Sequence, residues 1–428
     1  MSSFIVAKLV IPSRYCTYCS YGIIATSIVI EGINMGFGGS GGNSAISGAS
    51  DVSISGMQNG QTLIYDSSVQ KWENSFSASA ATPGIVQLDS FSGSSDDDKL
   101  TAALSYVQAQ TFMPAIQLPA RQVSFSQTRT PFSGLKIIGP GPDTGPKNLE
   151  LSSGKFVAGR VNLNVGTGTN SWWYGTGTYY DIYIGNIAMQ YPTGGQFWHQ
   201  PSGTLYACEF HSLTHYGANH VFGTPTAKAL LTQVLFSGHW TCLALRDVQF
   251  TIGGSDNTFW MGGYLNIGPG SATLGNGKYQ IVFDSLGKSN IGDIYVTSEW
   301  GWRGVKISGN STGLTLNAPR LEGRNANTPC EGNVLRITGG NGITINDPWV
   351  AYGMSDPDTS EHGMIEITGG NVFVNRPIYD RGNLSASVPL VYCSGGKTEV
   401  RFAASTDNDP MYISGGGTIS NDSSVTKV

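Results

Sequence analysis

Three tetrapeptides decide the fold: Leu316-Asn317-Ala318-Pro319, Ile345-Asn346-Asp347-Pro348 and Val374-Asn375-Arg376-Pro377. Asparagine stands at 317, 346 and 375, and proline at 319, 348 and 377, so both series step by 29 residues. Each tetrapeptide closes a short unit. Apolar strands begin at Ile281, Val305, Leu335 and Ile365, with a fifth at Leu390. The middle three run into small-residue turns: Ser308-Gly309-Asn310, Thr338-Gly339-Gly340 and Thr368-Gly369-Gly370. A fixed period in this range, built of short β segments, marks a stacked coil. Equivalent residues then lie one strand spacing apart, about 4.8 Å. Asn317, Asn346 and Asn375 are expected to form an inward ladder of side-chain amides, because an unpaired buried amide costs on the order of 1–3 kcal/mol. The prolines are expected to set the turn and block pairing beyond it.

Composition agrees with a β-rich chain full of turns. Charged residues are 12% of 428, against about 25% in an ordinary globular protein, and glycine contributes 58 residues. The net charge of −5, without a basic stripe, argues against a nucleic-acid partner. No apolar run approaches the ~20 residues of a membrane helix, so membrane insertion is not expected. The N-terminal apolar runs flank Arg14 instead of following a basic start, which speaks against a cleaved signal peptide. The six cysteines, Cys16, Cys19, Cys208, Cys242, Cys330 and Cys393, form no dense disulfide framework. Cys16-Thr17-Tyr18-Cys19 lacks the second pair that a zinc site needs. His211 and His215 are spaced i, i+4 but lack a metalloprotease glutamate, and the stretch from Asp356 to Glu361 reads as a solvated acidic loop. No metal or cofactor is expected.

Upstream of the coil, residues 1–35 read as β segments, followed by the Gly-rich hinge Gly36–Gly42. Alternating residues flank Asn59-Gly60, a hairpin signal. Asn59-Gly60-Gln61-Thr62-Leu63-Ile64-Tyr65-Asp66, with Lys71-Trp72-Glu73-Asn74, resembles a short module of bacteriophage tail fibres. Ala81-Thr82-Pro83-Gly84-Ile85-Val86-Gln87-Leu88 resembles a second such module. Ser94–Gln110 reads as a helix: Ser95 caps it, Asp96, Asp97 and Asp98 fill its first turn, and Leu100, Ala103, Leu104 and Val107 form one apolar stripe. It can cover the apolar end of the coil. The helix, then Ile116-Gln117-Leu118-Pro119, a short strand at Val123, and Leu135-Lys136-Ile137-Ile138-Gly139 resemble the entrance of pectate-lyase-like β-helices, including many phage tail spikes.

That resemblance implies an all-β chain: a right-handed parallel β-helix with one capping helix and a small β-structured attachment region. Residues 1–50 would be the tail-attachment region, 51–94 the fibre-like modules, 95–400 the β-helix and 401–428 a C-terminal cap or tail. It also implies a homotrimer in the phage tail, assembled in the host cytoplasm, that docks on other tail proteins and binds bacterial surface polysaccharide. A glycan depolymerase, hydrolase or lyase, and a purely architectural tail component are the alternatives.

Strands continue between Val161 and Phe250 with looser spacing, and Asp181-Ile182-Tyr183-Ile184 and Asp247-Val248-Gln249-Phe250 echo Asp293-Ile294-Tyr295-Val296. The candidate catalytic carboxylates are Asp293, Glu299, Glu322 and Asp380, on the strand-end flank of the repeat. The register puts Glu322 and Asp380 at one position two rungs apart, with Ala351 between, roughly 10 Å. An inverting glycosidase needs about 6.5–9.5 Å. Arg303, Arg324 and Arg381 lie close in sequence, so ion pairing is the structural alternative. The polygalacturonase signatures are missing; the nearest echo is Glu361-His362-Gly363. Trp172, Trp173, Trp300, Trp302, Trp349 and Tyr352 are the candidate sugar-stacking aromatics.

Overall fold

Strands of three to five residues with alternate side chains buried cannot stand alone, and here each is satisfied by the rung above and the rung below. The computed structural model describes residues 52–53, 62–66, 71–75, 84–140, 160–268, 278–298, 303–323, 334–352, 364–380, 389–405, 412–415, 417–421, 423 and 426–427. Two units are distinct, Met1–Pro83 and Gly84–Val428. In the first, Lys71–Ser75 is the central strand of three, parallel to Val52–Ser53 and antiparallel to Thr62–Asp66. The hairpin joins Thr62–Asp66 to Lys71–Ser75, and Asn59-Gly60 lies outside the described residues. Residues 1–51, with the proposed attachment region and hinge, lie outside the described residues.

The second unit is a parallel β-solenoid of about 10 turns with one α-helix. Three columns of strands run along it. The first column includes Tyr279–Gly287, Arg303–Ser308, Leu335–Ile337, Ile365–Ile367 and Val391–Cys393. The second includes Thr315–Asn317, Ile343–Asn346, Asn371–Asn375 and Lys397–Arg401. The third includes Ile294–Ser298, Arg320–Gly323, Trp349–Tyr352 and Ile378–Asp380. Every ladder between successive rungs is parallel, in the register expected from the 29-residue step: Asn317 pairs with Asn346, and Asn346 with Asn375.

The amide ladder is present: Asn346 donates to Asn317 at 3.1 Å and Asn375 donates to Asn346 at 3.4 Å. Its direction differs from expectation. The buried residues are Leu316, Ile345 and Val374, so the asparagines alternate outward and are half-buried. The residue after each, Ala318, Asp347 and Arg376, has a positive φ of 50°, 52° and 52°. One left-handed residue turns the chain sharply into the third column. The prolines do not end pairing. Each leads the next strand, where its missing N–H is not required, and its carbonyl accepts from the rung above: Trp349 to Pro319 at 2.9 Å, Ile378 to Pro348 at 2.8 Å.

The corner between first and second columns repeats the device. Asp181, Ala207, Gln233, Asp256 and Lys288 all carry positive φ, and each N–H donates to the following rung. The core changes along the axis. Trp173, Trp198, Phe222 and Phe250 stack in register, followed by Ile281, Val305, Leu335, Ile365 and Val391. Bulky rings in the early rungs accompany the looser spacing there, while uniform aliphatics accompany the regular one.

Helix α1 (Asp96–Ala109) covers the first rungs with Leu100, Ala103 and Val107 buried. Ser95 and Asp98 form a reciprocal capping box. The acidic first turn does more than cap. Asp97 forms a buried ion pair with Arg129 at 2.9 Å and accepts from the Ser126 amide, and Asp96 holds Arg121 and the Ser124 amide. Ile85–Gln87, assigned by sequence to a fibre-like module, is the first strand of the coil and pairs with Ala115–Gln117. Beyond Val400 pairing also continues, through Tyr412–Ser414 and Thr418–Asn421, so strands of the coil extend into the segment read as a tail.

Candidate carbohydrate-binding and catalytic face

The outer face of the third column brings most of the described candidates together. Alternation sends Ile294, Val296, Leu321 and Val350 inward. The residues between them form two axial tracks. One runs Thr241, Asn266, Tyr295, Arg320, Trp349, Ile378. The other runs Thr297, Glu322, Ala351, Asp380.

Glu322 is 6% exposed, and the Tyr295 hydroxyl donates to its carboxylate. This bond runs between neighbouring rungs, and it fixes both groups. The Glu322–Ala351–Asp380 register is as the repeat requires, which sets the two positions two strand spacings, roughly 10 Å, apart along the axis. Ala351 is the paired position between them. Asp380 is half-buried, and Asp293 is exposed where the chain enters its strand, its carbonyl accepting from Leu265. Trp349 is half-buried in the first track, between Arg320 and Ile378. Tyr352 pairs in register with Gly323. Glu299, Trp300, Trp302, Arg324 and Arg381 lie outside the described residues.

Two sugar-stacking candidates are corrected. Trp172 and Trp173 are 0% exposed, with Trp172 stacked on Phe125 at 5.6 Å and Trp173 on Trp198 at 6.0 Å. Both indoles belong to the core, and no ligand ring can reach their faces. Arg303 is not beside Glu322 on this face either; it opens a first-column strand, where it donates to Tyr279.

Sequence reasoning missed Tyr295 as a site residue. The signal was its alternation with Ile294 and Val296, which fixes it as outward. The Asp-Ile-Tyr echo marks strands of the coil but not their column: Asp293 precedes a third-column strand and Asp181 a second-column strand, while Asp247 precedes a first-column one. The motif reports in/out alternation, which all columns share, not position in the rung. Elsewhere, His211 and His215 separate: His215 is buried and bonds Tyr191 at 3.0 Å, while half-buried His211 bonds Ser237 at 2.8 Å. Among the described residues no cluster of His, Cys, Asp and Glu is arranged to hold a metal.

No family model matches this chain, and no curated protein matches its sequence. Solved structures do. The crystal structure of DFA-IIIase from Arthrobacter chlorophenolicus A6 without its lid superposes with a TM-score of 0.58 at 10% identity, covering 81% of this chain and 97% of that one. Lower similarity is found to the A-module of Azotobacter vinelandii mannuronan C-5 epimerase AlgE4, with a TM-score of 0.37 at 10% identity over 79% and 99% of the two chains. The Acinetobacter phage vB_ApiP_P1 tailspike protein gives 0.33 at 11% identity over 87% and 64%. The likeness to DFA-IIIase is one of fold, and with the rung pairing it establishes the chain as an all-β parallel β-helix.

Proposed function

We propose that this chain is a bacteriophage tail spike or minor tail protein whose coil attaches to surface glycans of the bacterial host, with the outer face of the third column as the binding surface. The observation that carries the reading is the axial track in which Tyr295 and Trp349 stand half-buried beside Arg320. Aromatic faces stack on the apolar faces of sugar rings, and flanking polar groups orient them. The stretch from Asn59 to Asn74, which resembles a tail-fibre module, supports the phage setting. In it the chain works in the virion as a homotrimer, residues 1–50 docking on other tail proteins.

Purified full-length protein is expected to bind host cells and their isolated polysaccharide. Trp349→Ala should weaken that binding about tenfold. Unchanged affinity in this variant would remove the face from consideration. Failure of the native protein to bind host cells at any salt concentration would favour a purely architectural tail component.

The Tyr295–Glu322 bond favours a second reading, a depolymerase. Glu322 and Asp380 would act as the acid/base pair on a glycan lying along the track, with Tyr295 positioning Glu322. Release of reducing ends from host polysaccharide should then fall by about a hundredfold or more in Glu322→Gln and in Asp380→Asn. Absence of release from every host glycan tested sinks the depolymerase and leaves attachment standing.

A further inference from the structure

An asparagine followed by glycine is open to attack by its own backbone. The next amide nitrogen can reach the side-chain carbon and close a five-membered imide, and glycine leaves that nitrogen uncrowded. Asn341-Gly342 is the one such pair among the described residues. It stands where the chain passes from the first column to the second, immediately before the strand Ile343–Asn346. Both residues are exposed, and Gly342 has a φ of 66°, a left-handed conformation that glycine adopts at no steric cost. Asn341 is held by three bonds. Its N–H donates to the Ser311 carbonyl at 2.8 Å, its carbonyl accepts from Gly313 at 2.9 Å, and its side-chain Oδ1 accepts from Asn371 Nδ2 at 2.7 Å. The last bond places a donor at the oxygen on which negative charge develops when Cγ is attacked.

The Gly342 N–H, by contrast, donates to no described residue. A methyl group placed on Gly342 would meet nothing closer than the Gly313 nitrogen at 3.8 Å, so the approach to this amide is open. The other asparagines of the repeat differ at this point. Ala318, Asp347 and Arg376, which follow Asn317, Asn346 and Asn375, each donate their N–H to the next rung at 2.8 Å. An amide committed to the ladder cannot turn toward the side chain that precedes it. Asn371 is exposed as well, but Val372 follows it, and its branched, buried side chain crowds the nitrogen. Stacking therefore shields the regular ladder and leaves Asn341 open.

We propose that Asn341 is a self-modification site at which the folded coil deamidates. The Gly342 nitrogen bonds to Asn341 Cγ and gives up its proton to water, while Nδ2 takes up a proton and leaves as ammonia. Water then opens the imide. Cleavage between the nitrogen and Cγ gives aspartate. Cleavage between the nitrogen and the α-carbonyl gives isoaspartate, and the backbone then runs through the former side chain. Water is the only co-reactant. Either product adds one negative charge beside Asn371. Isoaspartate also lengthens the backbone by one atom just ahead of Ile343, which is fully buried, and turns the carbonyl that accepts from Gly313 into a free carboxylate. The corner thus records the age of the folded chain, whatever the coil binds.

The full chain is held at mildly alkaline pH, once folded and once unfolded in urea, and its peptides are followed by mass spectrometry. Fragment masses locate the change, and enzymatic methylation reports isoaspartate. In the folded chain Asn341 should gain about one mass unit at a rate no lower than in urea, while Asn317, Asn346 and Asn375 stay unchanged. Asn341→Gln cannot close a five-membered ring and should abolish the gain at that position. Asn371→Ala removes the donor at Oδ1 and should slow the folded-state reaction severalfold. The proposal is overturned if the folded chain reacts at Asn341 about tenfold or more slowly than the unfolded one, because the fold then protects the site, or if Asn371→Ala reacts as fast as the native chain. The comparison of folded with unfolded chain uses the native sequence, so it holds even where a variant fails to fold.

Discussion

At the residue scale the most regular polar positions turn out to be structural and the functional candidates less regular. Asn346 both donates to Asn317 and accepts from Asn375, while each outer member has one bond within the ladder. A net hydrogen bond contributes about 1 kcal/mol. Asn346→Ala should therefore destabilise the coil by about 2 kcal/mol and Asn375→Ala by about half of that, read from urea midpoints. Equal losses would show that the bonds between asparagines are not what holds the ladder. The Glu322–Ala351–Asp380 register was legible in sequence because it lies inside the strict repeat. Tyr295 was not singled out, because its hydrogen bond to Glu322 is diagonal, from one rung to a non-paired position on the next. The burial of Trp172 and Trp173 was equally hidden. Their neighbours, Phe125, Phe197 and Trp198, lie on other rungs, and only stacking those rungs reveals that the aromatics enclose each other.

At the element scale, helix α1 shows how much a solenoid relies on its ends. The sequence marks its cap and its apolar stripe, and the structure adds its tether, Asp97 to Arg129. Both partners are almost fully buried, so removing one leaves the other as an uncompensated buried charge, which costs about 3–5 kcal/mol. Ser95→Ala removes only a capping bond, about 1 kcal/mol. Rungs contact only their neighbours, so the loss should remain local. In Asp97→Ala, hydrogen exchange should accelerate at Ile116 and Ile137 with little change at Ile345 and Ile365. Uniform acceleration along the chain would mean that the coil unfolds as one cooperative body. The strand Ile85–Gln87 follows a related rule: a three-residue strand takes its identity from its partner, here Ala115–Gln117.

At the scale of the whole molecule, buried histidines shape the response to acid. His215 is fully enclosed and its imidazole is pushed down to about 3 by desolvation, while His220 and His199 are lowered by the same cause. An unfolded chain protonates these rings near pH 6.5, whereas the native chain does not. Their contribution to stability is therefore complete above pH 6.5 and is lost as pH falls toward 3. The slope approaches about 1.4 kcal/mol per pH unit for each such ring. Asp89, Asp96 and Asp98 are held below the usual carboxylate range, Asp89 by Arg121 foremost, Asp96 by Arg121 against its own burial, and Asp98 by Ser94 and Ser95. Their loss adds only below about pH 4. Melting temperature should thus begin to fall between pH 6.5 and 5, and His215→Gln should flatten that limb; a melting temperature constant over that window would contradict the burial of neutral histidine. By itself, the sequence determined the architecture, because a 29-residue period of short strands admits a stacked coil and little else, and the repeat carries register with it. Tertiary structure alone decided which aromatics are core, which short segments pair within the coil, and that Asp97 meets Arg129. Those outcomes depend on contacts between rungs some 20 to 30 residues apart, and outside the strict repeat no local pattern records which residue lies above which.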